Sequence, residues 1–405
     1  MPYFNVVSLF PTDVNSDWLV PGALGASFDI VEATADHFSI KYTSGPAIGL
    51  TVKFISDGST FTYNGNAPAS GSFDEIHLVG GGLLTTVIAK WTGLASTQLT
   101  SFGKPTLAET LLGDSDNLLG DGGKDILRGY GGPNLYIGKG GNDTFVLDAG
   151  SSDSIIHGSG SDGSGGGTEI DTIKLLATNS LRFNDITNID RIVFAGNTDT
   201  TLSLRGANLG GISATLEVTG DSHDNQISIL ATNSSTALSV NLSAFGFKDW
   251  TLGHDKVLIN GSTDIDSLTG SKVSDEIFAG GDNDYVRGGR GKDLISGGDG
   301  FDTFDFNSVL ESKRGAANRD VIIDFQDGQD HIDLSGIDAR SKQGFQHFKF
   351  IGDNHFHHKQ GELHYRAIDS DTVILEGDKN GDGKADFQVE VHGVGALDQT
   401  DFILI

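Results

Sequence analysis

The chain has 405 residues, enough for two or more domains, and 37% of them are hydrophobic, which can supply real cores. Its 27 Lys and Arg against 55 Asp and Glu give a formal net charge of -28, so nucleic acid and anionic membranes are excluded as attractive partners and cations are favoured. It contains no cysteine, which excludes disulfides and thiolate metal sites. No run of ~18 apolar residues is present for membrane insertion.

Residues 1–105 have the pattern of an N-terminal β domain. The segment HFSIKY alternates through Phe38, Ile40 and Tyr42, and GLTVKFISDGSTFTYNG alternates on both sides of a turn at Asp57 and Gly58. We expect a small antiparallel sheet or a β-sandwich here. The start, MPYFNVVSLFPTDVNSDWL, has no basic segment followed by a sustained apolar one, so we expect no cleaved N-terminal signal peptide.

Two segments repeat every nine residues. In the first, within 106–150, Asp116, Asp125, Asn134 and Asp143 are nine apart, and an apolar or aromatic residue follows each by two. In the second, within 266–306, the same holds for a second set of four acids: Asp275, Asp284, Asp293 and Asp302. We interpret these segments as two arrays of four glycine-rich nonapeptides.

A nonapeptide G-G-x-G-x-D-x-U-x, with U apolar, divides into a six-residue turn and a three-residue strand, so one coil takes two repeats and positions eighteen apart stack. Glycines allow positive φ and aim turn carbonyls inward, and one carboxylate per turn adds charge, which together suit Ca²⁺. We expect Asp125 to pair with Asp143, Asp275 with Asp293, and Asp284 with Asp302, each pair flanking an ion. Asp116 and Asn134 would form a weaker site.

The predicted calcium ligands of the two arrays are these acids together with turn residues. The turn residues are Gly120, Gly122, Gly138, Gly140, Gly280, Asp282, Gly289, Gly291, Gly298 and Gly300. The alternative is a solvated linker. A linker does not explain why, in all eight repeats, an apolar residue stands two places after the repeated acid or Asn. Because unshielded carboxylates repel one another, we expect the arrays to be largely unfolded without calcium.

Residues 151–265 open with a Gly/Ser tract, HGSGSDGSGGG, which is typical of a flexible loop, and continue with short apolar segments at irregular intervals. Their spacing favours coils of a β-helix that could join the arrays into one solenoid, and a separate β-sandwich stays open. The predicted fold class is all-β: a parallel β-roll or β-helix solenoid with an N-terminal sandwich-like domain.

The arrays resemble the RTX, or hemolysin-type, calcium-binding repeats of bacterial proteins exported by type I secretion. Residues 307–405 extend the resemblance: DVIIDFQDGQDHIDLSGI, FKFIG, GELHYR, GDKNGDGKADFQVEV and TDFILI are similar to the C-terminal domain of serralysin-type secreted metalloproteases. This implies export by type I machinery without a cleaved N-terminal signal, guided by an uncleaved C-terminal signal, and folding outside the cell. It does not imply proteolysis, because no His is followed by Glu and H-E-x-x-H is therefore absent.

Two other groups of residues carry side chains that can bind metals. Asp378, Asn380, Asp382 and Asp386 have the oxygen spacing of the front half of an EF-hand loop, but the twelfth position is Val389, so calcium binding and a plain hairpin turn both stay open. The cluster His355, His357 and His358 favours a polar loop over a transition-metal site, because no acidic spacing supports a closed site.

No nucleophile motif or phosphate-binding loop is present, and the sequence gives enzyme activity no support. We expect a non-enzymatic, extracellular, calcium-dependent surface or adhesive protein, with residues 1–105 as the recognition module and extracellular polysaccharide as a possible ligand class. The alternative is a secreted polysaccharide-modifying enzyme, a lyase, epimerase or glycosidase, with its site in the N-terminal or central β region. A structural calcium-binding matrix protein is a third reading.

Overall fold

The structure is a computed structural model that describes most of the chain from residue 117 onward. The described ranges there are 117–119, 124–128, 132–159, 169–182, 186–206, 212–231, 235–251, 253–340 and 344–405. Before residue 117 it describes only the backbone of short strands between residues 14 and 98. The described chain forms two compact units, residues 1–200 with 211–213, and residues 201–210 with 214–405. This division lies within the predicted central region 151–265.

The N-terminal strands form an antiparallel sheet, as expected for residues 1–105. Its strands, in sheet order, are β2 (Phe28–Ala33), β3 (His37–Tyr42), β4 (Thr51–Ser56), β7 (Ser72–Val79) and β8 (Val87–Trp91), with β9 (Thr97–Gln98) also paired to β7. A separate hairpin joins β5 (Thr62–Asn64) to β6 (Ala67–Ser70). The described backbone of residues 1–105 therefore contains one antiparallel sheet and this hairpin.

The rest of the first unit is wound into parallel coils. One sheet contains β10 (Asn117–Leu119), β12 (Leu135–Lys139), β14 (Ile155–Ser159) and β17 (Ile186–Thr187). The other contains β1 (Val14–Asn15), β11 (Asp125–Arg128), β13 (Thr144–Leu147), β15 (Thr172–Leu175) and β18 (Ile189–Phe194). Strand β16 spans Asn179–Arg182. Strands β14, β15, β17 and β18 therefore continue the first array as further coils.

The second unit contains the second array within two longer runs of parallel strands. One run is β19 (Thr200–Arg205), β21 (Asn225–Leu230), β24 (Lys256–Asn260), β26 (Asp275–Gly281), β28 (Leu294–Asp299) and β30 (Asp320–Ile322). The other is β22 (Ser239–Asn241), β25 (Ser267–Thr269), β27 (Tyr285–Arg287), β29 (Thr303–Asp305), β31 (His331–Asp333) and β36 (Phe402–Ile403). Strands β20 (Ile212–Thr219) and β23 (Gly246–Lys248) form a further parallel pair.

The C-terminal strands extend the first of these runs, and antiparallel pairs appear in the added part. Strand β30 pairs in parallel with β35 (Phe387–His392), which then pairs antiparallel with β34 (Thr372–Asp378). The sheet ends with β33 (Glu362–Ala367) and β32 (Lys349–Phe350). A single turn of 3-10 helix, Gln399–Asp401, precedes β36, and the described residues contain no α-helix.

The coil is built as the nonapeptide predicts. The apolar residue two places after each repeated acid or Asn is at most 3% exposed in both arrays. These residues are Leu118, Leu127, Tyr136, Phe145, Ile277, Val286, Ile295 and Phe304. Parallel register places Ile277 beside Ile295 and Val286 beside Phe304, so each coil adds one layer to a narrow apolar core. The prediction of an all-β, parallel β-roll solenoid is confirmed.

In the described part of the chain, no helix has the length and apolar character needed to span a membrane.

Candidate metal centre

The repeated aspartates stack from coil to coil in the predicted pairs. The backbone N–H of Asp125 donates to Oδ1 of Asp143, that of Asp275 to Asp293, and that of Asp284 to Asp302, each at 2.9 Å and across eighteen residues. The acid begins each short strand, and its side chain reaches the strand start of the neighbouring coil. One carboxylate oxygen per residue is thus used to hold the stack.

In the accepting acid of each of these three pairs, the second carboxylate oxygen is left without a protein partner, whereas Oδ2 of Asp275 accepts the Ser271 N–H at 2.6 Å. The Oδ2 atoms of Asp143, Asp284, Asp293 and Asp302 are buried and accept no hydrogen bond, and so is Oδ2 of Asp320. Each of these five side chains is at most 2% exposed. A buried carboxylate oxygen without a partner is costly, so each of these atoms requires a proton or a cation.

Glycines make room for these oxygens. An ideal Cβ built on Gly288 would meet Oδ2 of Asp293 at 2.4 Å, and one built on Gly297 would meet Oδ2 of Asp302 at 2.2 Å. The glycine five positions before the acid therefore cannot carry a side chain. On Gly138 the same position lies 2.1 Å from Oδ2 of Asp143.

The predicted turn ligands of the second array adopt the left-handed backbone that the repeat requires. Positive φ values occur at Gly280, Asp282, Gly289, Gly291, Gly298 and Gly300. The Gly280 carbonyl oxygen lies 2.1 Å from the Cβ position of Gly298, and that of Asp282 lies 2.1 Å from the Cβ position of Gly300. Turn carbonyls therefore point along the stack, into the space between neighbouring turns.

The predicted ligands of the first array are described in part. Gly140 lies in the turn before Asp143. Asp116, Gly120 and Gly122 lie outside the described residues, so the weaker pair with Asn134 stays a prediction. The Asn134 N–H donates to Oγ of Ser154 at 2.9 Å, a hydroxyl in the place that a carboxylate takes elsewhere.

Burial dominates the electrostatics of the stacked acids. It raises the pKa of Asp143 to about 8, against a lowering contribution from the Asp125 N–H and with further raising by nearby acids. Burial likewise raises the pKa of Asp284 to about 7. The pKa values of Asp275 and Asp293 are raised above the ordinary range, again mainly by burial. These groups therefore favour a neutralised form, which a bound cation supplies.

The same stacking extends to Asp266, which lies nine residues before Asp275, and to three acids that the nine-residue spacing misses. The Asp266 N–H donates to Oδ1 of Asp284 at 2.8 Å. The other three acids accept: Oδ1 of Asp171 accepts the Asp143 N–H, that of Asp320 the Asp293 N–H, and that of Asp330 the Asp302 N–H, at 2.9 to 3.0 Å. The last three pairs are 27 or 28 residues apart. Each of these acids is followed two places later by a buried apolar residue. A search for that pair of residues, without requiring a fixed distance between repeats, would have found them.

The ligand types fit calcium. In the described part of the chain, no three His, Cys, Asp or Glu side chains converge on one point, so a metal here must draw on backbone carbonyls as well as carboxylates. Calcium takes six to eight such oxygens, whereas zinc requires nitrogen or sulfur donors in a compact set. The residues that would hold it are the stacked aspartates and the turn carbonyls between them.

Comparison with protein families identifies the arrays. Residues 112–145 match the RTX calcium-binding nonapeptide repeat, in four copies. The chain carries RTX calcium-binding repeats. Residues 263–404, which include the second RTX array, match the C-terminal domain of serralysin peptidases of family M10. The predicted resemblance is confirmed, and Ca²⁺ is the ion that RTX nonapeptides bind.

Two solved structures are similar over part of the chain. The AlgE6R2 subunit from the Azotobacter vinelandii mannuronan C5-epimerase is 24% identical and covers 42% of this chain and 87% of that chain, with a TM-score of 0.25. The AlgE6R3 subunit of the same epimerase is 25% identical and covers 35% and 79%, with a TM-score of 0.21. No curated protein matches the chain.

The EF-hand-like segment, unlike the RTX turns, uses its oxygens within the loop. Asp378 accepts the N–H groups of Gly381 at 2.6 Å and Gly383 at 2.8 Å through its two oxygens. Oδ2 of Asp386 accepts the Asn380 N–H at 3.0 Å, and Oδ1 of Asn380 accepts that of Asp382 at 2.8 Å. These contacts belong to the hairpin between β34 and β35 and favour the plain hairpin turn. Calcium binding at this segment stays a prediction.

The histidine cluster beside the serralysin-type strands is divided among separate contacts. Nδ1 of His357 lies 3.0 Å from Oε1 of Glu362, and Nε2 of His364 lies 3.2 Å from Oε2 of Glu376. His358 packs against Gly383, whose Cβ position lies 2.4 Å from its ring. This arrangement favours the polar loop.

Proposed function

We propose that this protein is exported by a type I route, folds when it meets calcium outside the cell, and then acts as a non-enzymatic surface-associated or adhesive protein that binds anionic polysaccharide. The observation that carries the calcium-dependent step is the set of buried Oδ2 atoms without a protein partner in two ladders, one with Asp284 and Asp302 and the other with Asp293 and Asp320. Ionised and without a cation, these carboxylates would oppose the stacking that their Oδ1 atoms maintain.

Circular dichroism of the full chain tests this step. The protein is prepared with excess chelator at pH 8 and then titrated with calcium or, as the matched control, with magnesium. We expect strong gain of β signal with calcium and little with magnesium, because Mg²⁺ requires near-ideal octahedral geometry and gives up water reluctantly. Equal β content with chelator and with millimolar calcium would contradict the proposal.

A basic groove on the first unit supports polysaccharide as the ligand class. It has a volume of about 550 Å³, crosses the outer face of strands β11, β13, β15 and β18, and includes the cations Lys124, Lys174 and Arg191. Ile126 and Val193 add apolar surface. No acid lines it among the described residues, although the chain carries a net charge of -28.

The register of the strands arranges this groove as a track. Ile126, Thr144, Thr172 and Arg191 occupy successive strands at one position, and Lys174 lies beside Val193. Adjacent strands are about 4.8 Å apart, so Thr144, Thr172 and Arg191 follow one another along the stack at that step. An extended polymer with regularly spaced carboxylates is complementary to such a track in charge and in direction.

Binding of a polyuronate and of a neutral glucan, measured by calorimetry with calcium present, tests this ligand class. We expect the polyuronate to bind and the neutral glucan not to bind. Lys174→Gln should weaken polyuronate binding by about two- to fivefold, and added salt should weaken it further. The control Lys248→Gln removes an exposed cation outside the groove. Equal affinity of both variants would overturn the assignment of the groove.

The alternative of a polysaccharide-modifying enzyme requires an acid or base free to move a proton beside the polymer. A second groove, lined by Lys313, Arg314, Lys379 and Asp386, brings an acid close to cations. Oδ2 of Asp386, however, accepts the N–H groups of Lys379 at 2.9 Å and Asn380 at 3.0 Å, and its Oδ1 accepts Nδ2 of Asn380 at 3.0 Å. This saturated carboxylate favours a non-enzymatic role, and turnover of the polyuronate in the same assay would reverse that conclusion.

A further inference from the structure

We propose that the second groove, in the serralysin-type part of the second unit, is a binding site for a phosphate or sulfate monoester that carries an apolar group. Its cations are Lys313, Arg314 and Lys379, and its volume is about 600 Å³. Pockets for small organic ligands have volumes of roughly 300 to 1,000 Å³. The ligand class goes beyond the proposed function, because a polyuronate has neither a tetrahedral anionic group nor an apolar part.

The three cations form no ion pair within the described part of the chain. By contrast, Arg287 and Arg319 of the same unit each pair with a glutamate. The chain has 27 Lys and Arg against 55 Asp and Glu, so acidic partners are abundant, and a groove with three unpaired cations is an exception that requires a cause. These cations are available to an anion from solution.

Asp386 is the acid among the described residues that line this groove, and it does not neutralise the three cations. Its Oδ2 accepts the N–H groups of Lys379 and Asn380, and its Oδ1 accepts Nδ2 of Asn380. The lining keeps an excess of two positive charges. Because the groove is open to solvent, salt screens these charges, and binding of an anion should weaken as the ionic strength rises.

The loop after β29 fixes the backbone of Lys313 and Arg314 on both sides. Before them, the buried Ser312 donates its hydroxyl to the Gln388 carbonyl, and the Gln388 N–H donates to the Ser312 carbonyl at 3.2 Å. After them, the Gly315 N–H donates to Oε1 of Gln388 at 2.7 Å. The backbone that presents these two cations is therefore in position before a ligand binds, which lowers the entropic cost of binding.

The hairpin between β34 and β35 fixes the third cation in a similar way. The Lys379 N–H donates to Oδ2 of Asp386 at 2.9 Å. The preceding residue, Asp378, is buried, and both of its oxygens accept N–H groups of the hairpin. Lys313 forms an isolated antiparallel bridge with Phe387, so the loop and the hairpin are joined beside the groove. The three cations thus belong to two connected segments.

An apolar wall lines the same groove. It consists of Val309, Leu310 and Ala385. Leu310 is 46% exposed, although most large apolar side chains of the described residues are buried. An aryl or alkyl group next to the anionic group of a ligand would cover this surface and remove it from water. The groove therefore suits an ester rather than a free inorganic anion.

The number and type of the cations favour a tetrahedral oxyanion over a carboxylate. A phosphate or sulfate ester has three terminal oxygens that point in different directions, so it can accept hydrogen bonds from one guanidinium and two ammonium groups together. A carboxylate has two oxygens in one plane. Arg and Lys are also the side chains that bind such oxyanions most strongly.

Isothermal titration calorimetry of the calcium-loaded full chain with phenyl phosphate tests the site, and phenyl sulfate identifies which of the two esters is preferred. We expect Arg314→Gln and Lys379→Gln each to weaken ester binding about three- to tenfold. Arg290→Gln removes an exposed cation outside the groove and, as the matched control, should leave the affinity unchanged. Equal affinity of Arg314→Gln and the wild type, or binding of neither ester, would overturn the site.

Two further ligands separate this ligand class from a general attraction of anions. Benzoate has the ring and the single charge of phenyl sulfate on a planar carboxylate, and we expect it to bind at least about threefold more weakly. Inorganic sulfate lacks the ring, so Leu310→Asn should weaken phenyl sulfate about threefold and leave inorganic sulfate unchanged. Benzoate that binds as tightly as phenyl sulfate, or a Leu310→Asn variant that binds both sulfates as the wild type does, would contradict the assigned class.

Discussion

The backbone N–H of Asp275 donates to Oδ1 of Asp293, one coil further along, at 2.9 Å, while Oδ2 of Asp293 remains buried and without a protein partner. One carboxylate thus has two separate tasks. Its first oxygen fixes the register of the stack, and its second is available to an ion in the turn. Substitutions that keep the first task and remove the second can separate the contributions of stacking and of calcium.

Asp293→Asn makes this separation. Asn keeps an oxygen for the Asp275 N–H but removes the charge, so we expect weaker calcium binding and, at pH 8 with chelator, at least as much β structure as in the wild type. Calorimetric titration measures the first effect, and circular dichroism with chelator measures the second. Asp299→Asn, an exposed acid of the same array, serves as control and should change neither. A lower β signal than that of the wild type both with and without calcium would contradict this division.

The stability of the calcium-free protein should depend on pH in a direction opposite to ordinary acid denaturation. Burial raises the pKa of Asp143 to about 8, of Asp284 to about 7 and of Asp330 to about 6, all above the ~3.9 of an unfolded Asp. Folding therefore takes up protons, and the free energy of unfolding contributed by these groups falls as pH rises from about 5 to 8.

Circular dichroism with chelator at pH 5.5 and pH 8 measures this dependence, and we expect more β structure, and hence greater stability, at pH 5.5. Glu376 and Glu390 act in the other direction, because their pKa values are lowered by contacts with His364 and Arg319 that outweigh burial. Their contribution is lost only below about pH 4.5, outside this window. With calcium, the order should reverse, since protons compete with the ion. A calcium-free protein that is more stable at pH 8 would contradict the prediction.

The sequence predicted the coil wherever the chain keeps a period of nine. The period predicted that Asp125 pairs with Asp143 and Asp284 with Asp302. It also predicted that the residue two places after each acid is buried, because both features follow from an eighteen-residue coil. It missed Asp171 and Asp320, since inserted loops change the spacing to 28 and 27 residues while the strands stay in register. Loop length has little influence on pairing, so a fixed period cannot detect such residues.

The sequence could not decide the role of the segment that begins at Asp378. Its oxygen spacing suits both calcium and a turn, and the choice depends on where the backbone N–H groups point. In the folded hairpin, both oxygens of Asp378 accept such groups. Short-range spacing of acids therefore predicts a turn with oxygen ligands but not whether the ligand is an ion or the loop itself.

Gly298→Ala should be strongly destabilising for two reasons that controls can separate. Its φ is +93°, and an added Cβ would lie 2.1 Å from the Gly280 carbonyl oxygen. Gly253 has a similar φ of +83° with open space around it, and Gly246 has open space without positive φ. We expect about 1 kcal/mol for Gly253→Ala, little for Gly246→Ala, and at least about 3 kcal/mol for Gly298→Ala.

Calcium-saturated urea unfolding measures this series, and calcium titration adds a second readout. Because Ala at position 298 would push the Gly280 carbonyl away from the space between turns, Gly298→Ala should also bind calcium more weakly. Equal losses of unfolding free energy for Gly298→Ala and Gly253→Ala would mean that backbone strain alone determines the destabilisation. The close stacking of the turns would then contribute nothing to stability.

Arg287→Met should destabilise the second unit through the carboxylate that it leaves behind. The Arg287 guanidinium pairs with Glu311, whose side chain is only 7% exposed, and lies 3.8 Å from Asp305. Oε2 of Glu311 also accepts the Asn307 N–H at 2.9 Å, which holds the loop after β29. Removal of the cation leaves Glu311 buried and unpaired, which we expect to cost about 2 to 3 kcal/mol in calcium-saturated urea unfolding.

Lys256→Met, which breaks a more exposed pair with Glu276, is the matched control and should cost less than about 1 kcal/mol. Adding Glu311→Gln to Arg287→Met should recover part of the loss, because it removes the unpaired charge itself. A double variant no more stable than Arg287→Met would instead assign the loss to the packing of the arginine stem.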